Sequence, residues 1–214
     1  MIWRDHSKDI ATDAHAILGG SNSSWLNYDE DTLREAYRRK YAQSVGTLAH
    51  DYARAYAKWG QKPKAGDKTG LFVHLLDNHI PASAININSL FDTWRLYVTD
   101  VVQGRMIPEQ VLYYSPNCFG TADAISFRNG KLKIFDLKTG EGRTSSNQLM
   151  IYAAQFCLEY GIKPGDIDIT TRIYQKGTYK EEHPEHNDIL PIMDRIKTFD
   201  HILDNLKQEG RYEI

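Results

Sequence analysis

An Asn129-Gly130 dipeptide between two alternating segments, Phe119 to Arg128 and Lys131 to Lys138, constrains this 214-residue chain more than any other feature. Two-residue hairpins favour type I′ turns, which need positive φ at both central positions, and Asn-Gly adopts them most easily. The turn sets the register, placing Arg128 opposite Lys131, Ile125 opposite Ile134 and Asp123 opposite Asp136. Counted from the hydrogen-bonded pair at the turn, Asp123 and Asp136 form a non-hydrogen-bonded pair, with Cα atoms about 4.5 Å apart. Side chains alternate along a strand, so Lys138 shares the face of Asp136.

Like charges directly opposite on a sheet are destabilising. At roughly 5 Å and an effective dielectric near 20, two ionised carboxylates repel by about 3 kcal/mol. Either the two acids point apart at the surface, or a cation sits between them with Lys138 beside it. Carboxylate oxygens on a rigid sheet suit a hard ion such as Mg²⁺, which takes one or two carboxylates plus waters and substrate phosphate oxygens.

The length suits one domain, 1–214, with a helical part to about 105, a sheet core over about 106–175 and a C-terminal helix over about 189–208. No apolar run approaches membrane-spanning length, and Arg4, Asp5, Lys8 and Asp9 stand where a signal peptide needs an apolar core, so a cytoplasmic protein is expected. Cys118 and Cys157 are the only cysteines, too few for a four-thiolate zinc or iron-sulfur site, and read as free, partly buried thiols. The net charge of -2 hides an uneven distribution. Residues 31–70 hold nine Lys/Arg against four acids, whereas 180–214 hold five against nine. The basic stretch reads either as a solvated helix face or as a surface for a phosphate backbone.

The first thirty residues read as irregular, with a loop at Gly19-Gly20 and Ser21 to Ser24. Asp29 or Asp31 caps a helix to about Tyr41, which Gly46 interrupts before a second stretch, Thr47 to Trp59, whose Leu48, Tyr52, Ala55, Tyr56 and Trp59 face the core. Helices follow at Leu71 to His79 and Asn88 to Val102, the latter supported by Trp94, Tyr97, Val98 and Val101. The period then changes to two: Glu109 to Tyr114, Phe119 to Phe127 and Lys131 to Lys138 form a meander. After a flexible turn at Gly140-Glu141-Gly142 comes a helix from about Ser146 to Tyr160, ended by Gly161, and a strand around Ile167 to Ile173. Strand, crossover helix, strand implies a parallel pair, hence an α+β fold with a mixed sheet of about four to five strands flanked by helices. His183-Pro184-Glu185-His186 reads as a loop because of its proline, and Ile189 to Gln208 as an amphipathic helix.

A helix with Gly46-Thr47-Leu48-Ala49-His50, a strand with Gly120-Thr121-Ala122-Asp123, a strand with Asp136-Leu137-Lys138-Thr139-Gly140, and a helix with Gln148-x-x-x-Tyr152 follow one another in this chain. Over roughly residues 46–175 that order resembles the PD-(D/E)XK nuclease superfamily, and within it the RecB-like branch that includes phage recombination exonucleases. The resemblance implies a restriction-endonuclease-like core. It implies Mg²⁺ or Mn²⁺ held by Asp123, Asp136, His50 and the backbone carbonyl of Leu137, with Glu109 a further candidate ligand. Lys138 would orient the attacking water and offset charge on the phosphate. Gln148 and Tyr152, four apart on one helix face, would touch DNA, with Arg54 and Arg143 as further DNA-binding candidates. Ala122 stands where the superfamily's name has proline, and the absent cysteines imply a cluster-free member.

The expectation is therefore a metal-dependent deoxyribonuclease giving 5′-phosphate products, an exonuclease of DNA recombination or repair. DNA is the expected partner, with a homo-oligomer or a single-strand-binding or recombination protein to supply processivity. A structure-specific or single-strand endonuclease, an inactive nucleic-acid-binding module and a partner-binding protein using the acidic tail remain the alternatives. Read singly, each residue has a plainer explanation: His50 as a satisfied helix polar residue, Lys138 as a strand-end lysine.

Overall fold

Asn129 and Gly130 both adopt positive φ, 52° and 72°, and the strands that they join pair in the register set by the turn, from Arg128–Lys131 to Ala124–Phe135. The computed structural model describes residues 17–18, 23–140 and 142–209; most of the expected Gly19–Ser24 loop, and Glu141 in the turn before the fourth helix, lie outside the described residues. Five strands, β1 (Ile107–Ser115), β2 (Cys118–Arg128), β3 (Lys131–Leu137), β4 (Asp168–Gln175) and β5 (Thr178–Glu182), form one sheet in sequence order. All neighbours are antiparallel except β3 and β4. That parallel pair is bridged by α4 (Asn147–Tyr160), which stops at Gly161 in the left-handed conformation expected of a helix C-terminus.

Helices α1 (Glu30–Lys58), α2 (Asp67–Asp77) and α3 (Ile87–Gln103) cover one face of the sheet, burying Trp94, Tyr97, Val98 and Val101 against Ala124, Phe135, Leu137 and Tyr174. On the other face α4 and α5 (His186–Glu209) bury Leu149, Ala153, Phe156, Ile189 and Met193 against Leu112, Leu132, Ile134 and Ile173. The fold is thus α+β, a mixed five-stranded sheet between two helical layers.

Two expectations for the first helix are corrected. Gly46 does not interrupt it: α1 runs unbroken for 29 residues from an Asp29 cap, whose carboxylate accepts the Thr32 N–H. Glycine is there because a Cβ would lie 3.0 Å from Thr139 Oγ1, so its absence lets the helix approach the chain leaving β3. The buried stripe is Val45, Leu48, Ala49, Tyr52, Ala53 and Tyr56, while Ala55 and Trp59 are exposed. Small Ala49 and Ala53 are the most deeply buried residues of the helix, so reading the stripe from its bulkiest residues rotated it. The fifth strand was also hidden: its turn is Lys176-Gly177, again with both φ positive, and Lys180, Glu181 and Glu182 mask any alternation.

Candidate active site

Strand β2 changes parity where it carries its acid. Ala122 belongs to the core under α4 and α5, whereas Ala124, two residues later, belongs to the core under α1–α3. In a regular strand those positions share a face, so the irregularity falls at Asp123. The partner strand is irregular at the same level. Glu109, which the β1–β2 register places opposite Asp123, has φ of 51° and drops out of the pairing between Pro108–Ala124 and Gln110–Ala122. A non-glycine residue held there costs on the order of 1 kcal/mol or more and is maintained by its surroundings, a pattern common at functional sites.

This break corrects the expected face-to-face pair of aspartates. The β2–β3 ladder ends at Ala124–Phe135, and Asp123 Oδ2 accepts the Leu137 N–H at 2.8 Å instead of standing directly opposite Asp136. The acids nevertheless feel one another. Burial is the main reason that the Asp123 carboxyl is pushed up to about 6; His50 and the Leu137 N–H oppose the shift, and Asp136 and Glu109 add to it. Tyr97, buried below on α3, is raised well above its ordinary value, first by burial and then by Asp123, Glu109 and Asp136.

His50 reaches the break from α1, its Nδ1 3.5 Å from Asp123 Oδ2. Single ligand atoms of His50, Glu109 and Asp123 all lie within 4.8 Å of one another, at the floor of an open cleft of about 370 Å³ that Gly46, Thr47 and Asp51 complete. Asp136 is 2% exposed; one carboxylate oxygen accepts from Lys138 Nζ at 3.0 Å, and the other has no hydrogen-bond partner. A buried carboxylate oxygen left unpaired is costly. Near the half-buried carboxylate of Asp123, it is what a divalent cation would satisfy. The donor set therefore fits Mg²⁺ or Mn²⁺.

Lys138 is held from two sides. Its Nζ also donates to Gln148 Oε1 at 3.1 Å, and Gln148 Nε2 donates to Tyr152 OH at 3.0 Å. Tyr152 lies over Gly120, where a Cβ would come within 2.9 Å of its ring. The glycine of Gly120-Thr121-Ala122-Asp123 thus makes room for the tyrosine of α4. The chain after Lys138 is secured by Gln175 Nε2, which donates to the carbonyls of Gly140 and Gly142.

The structure therefore gathers His50, Glu109 and Asp123 at the cleft and joins Asp136, Lys138, Gln148 and Tyr152 in a hydrogen-bonded chain, with Asp136 near enough to raise the Asp123 carboxyl but outside the His50–Glu109–Asp123 cluster. Leu137 enters through its N–H. Arg54 is exposed and paired with Asp51 at 2.7 Å on the rim of the cleft, while Arg143 is exposed in the connection between β3 and α4 without joining the network. His183 to Glu185 connect β5 to α5, apart from the site. Both cysteines are free, Cys157 buried and Cys118 half-buried. Sequence reasoning missed Tyr97 and the backbone of Glu109. Tyr97 looked like one more core aromatic, and no sequence signal marks a glutamate for positive φ.

A family described as a protein of unknown function, DUF2800, matches residues 15–175, which include every residue of the network. This chain belongs to the DUF2800 family. No curated protein and no solved structure matches it. In this DUF2800 chain, no helix of the described residues is long and apolar enough to cross a membrane.

Proposed function

We propose that this DUF2800 chain is a Mg²⁺- or Mn²⁺-dependent deoxyribonuclease of the PD-(D/E)XK type. The observation that carries the reading is a buried Asp136 oxygen left unpartnered beside Lys138, electrostatically coupled to Asp123 of the His50–Glu109–Asp123 cluster at a break in the sheet. A phosphodiester resists hydrolysis because its negative charge repels nucleophiles, so a catalyst must supply positive charge at the phosphate and orient a water.

Asp123 and Asp136, with Glu109 or His50, would hold the ion, which when bound supplies Lewis acidity at the phosphate and an acidified water. The chain's own residues do the remaining work. Lys138, tethered to Asp136 and Gln148, offers a cation that can move to a phosphate oxygen or hold a water against it. Gln148 sets where that ammonium stands, and Tyr152 fixes Gln148. His50 faces Asp123 and keeps its carboxylate oriented toward the cleft.

An exonuclease acting in recombination or repair is the form that the sequence resemblance favours, and a structure-specific or single-strand endonuclease is the alternative. Incubation with Mg²⁺ or Mn²⁺ of linear DNA labelled at either end, beside covalently closed circular DNA, tests both. Progressive loss of label from linear DNA with the circle left intact is expected. Nicking or linearising of the circle would move the assignment to an endonuclease, and no cleavage of single- or double-stranded DNA under either metal would leave at most a binding module.

A further inference from the structure

Beyond the acids, a groove of about 790 Å³ starts at Lys138 and Thr139 and runs between the N-terminal half of α1 and the segment 83–90 that leads into α3. Its walls are apolar at Val45, Ala84, Ile85 and Leu90, and their charges are the cations Arg34, Arg38, Arg39 and Lys176 against the acids Asp31 and Glu35, an excess of positive charge. Arg34 is paired with Glu30 and Arg39 with Glu35, both on exposed helix surface. Arg38 and Lys176 have no acidic partner among the described residues.

Lys176 is positioned by its surroundings. It sits at φ of 53° in the β4–β5 turn, and the next N–H, that of Gly177, donates to Thr93 Oγ1 on α3 at 2.7 Å. Thr93 is itself 2% exposed and lines the groove. The turn is thereby fastened to α3 with its lysine on the groove wall, on the side opposite Arg38 of α1. Unpaired cations on two facing walls, ending at the lysine of the candidate active site, suit a chain of phosphates.

We propose that this groove carries a single strand of nucleic acid to Lys138, making single-stranded DNA, or the frayed end of a duplex, the form that enters the site. The identity of the polyanion rests on the nuclease reading. A groove of this volume is of the size that holds a small molecule, ~300–1,000 Å³, which is room for a few nucleotides of one strand. Among the described residues no aromatic ring lines it. Binding therefore depends on charge more than on base stacking, and should be strongly salt-dependent.

The test is equilibrium binding of a labelled single-stranded oligonucleotide, with a blunt duplex of the same sequence as comparison, in chelator across a range of salt. The proteins are wild type and the double variant Arg38→Ala with Lys176→Gly. Glycine is chosen at 176 because it keeps the positive-φ turn. Arg195→Ala, on α5 at the opposite face, is the control for losing a cation elsewhere. Wild type should prefer the single strand, and the double variant should bind more weakly. Its slope of log affinity against log salt should be smaller by roughly 1.4, about 0.7 for each cation removed. The double variant should be no less stable than wild type, because both side chains are exposed and glycine relieves the positive φ at 176, so weaker binding cannot come from a folding defect. An unchanged slope, equal binding of duplex and single strand, or an equal loss in Arg195→Ala would overturn the proposal. Binding is read without metal, so the two readings separate. Cleavage by wild type with unaltered binding in the groove variant refutes the groove alone, whereas weakened binding without any wild-type cleavage refutes the nuclease alone.

Discussion

Replacing Asp123 by asparagine should stabilise the metal-free protein at neutral pH and leave it unchanged at acid pH. The Asp123 side chain is 16% exposed, and its carboxyl is raised from an ordinary 3.8 to about 6, chiefly by burial. At 1.36 kcal/mol per pH unit, holding it ionised in the folded state costs on the order of 3 kcal/mol relative to the unfolded chain. Because the folded value is raised, the group's full contribution is present below about 3.8, where both states are protonated. It is lost as pH rises, since the unfolded chain releases its proton first, and the loss is complete above about 6. Asparagine never ionises, and its side-chain oxygen can still accept the Leu137 N–H. In urea melts with chelator, the advantage of Asp123→Asn should grow from near zero at pH 4 toward about 3 kcal/mol at pH 7.5. A variant less stable than wild type at pH 7.5, or a difference independent of pH, would show that the carboxylate is a satisfied structural acceptor and would refute the reasoning.

Four further outcomes follow from the same geometry. Asp136→Asn removes a charge that raises Asp123, so without metal it should be at least as stable as wild type, and the rise in melting temperature that millimolar Mn²⁺ gives wild type should shrink or vanish in it. Lys138→Ala should keep that Mn²⁺ shift and DNA binding while losing most turnover, read as single-turnover cleavage rates. Glu109→Gly releases a side chain from φ of 51° and should stabilise the metal-free protein by about 1 kcal/mol while weakening Mn²⁺ binding, as seen in paired melts. Gly120→Ala drives a methyl to within 2.9 Å of the Tyr152 ring and should cost about 1–3 kcal/mol in denaturant melts.

The hairpin was legible in the sequence because Asn129-Gly130 sets a turn and the turn sets a register, which holds as far as Ala124–Phe135. The register could not say where pairing would stop. That depends on Asp123 bonding to the Leu137 backbone and on Glu109 leaving the ladder, which are tertiary choices with no periodicity of their own. Helix α3 was readable from Trp94, Tyr97, Val98 and Val101, all buried. Gly46 misled because a glycine that permits close approach looks like one that ends a helix; only the position of Thr139 separates the two. Strand β5 was lost because exposed edge residues carry charge on both faces. Of the site, Asp136 and Lys138 followed from the hairpin's alternation and Gln148 and Tyr152 from the family resemblance, and the structure joins them in one hydrogen-bonded chain. The groove depends on Lys176 and Arg38, more than a hundred residues apart in sequence, and becomes visible only in the folded chain.

The most direct test of the central claim is release of label from end-labelled linear DNA by wild type and Asp136→Asn in parallel, each with millimolar Mn²⁺ and with chelator. Cleavage by wild type with Mn²⁺ alone, abolished by chelator and by Asp136→Asn even though that variant is folded, is the predicted result. Cleavage that persists in chelator or in the asparagine variant, or a well-folded wild type that does not cleave DNA with Mn²⁺, would contradict it.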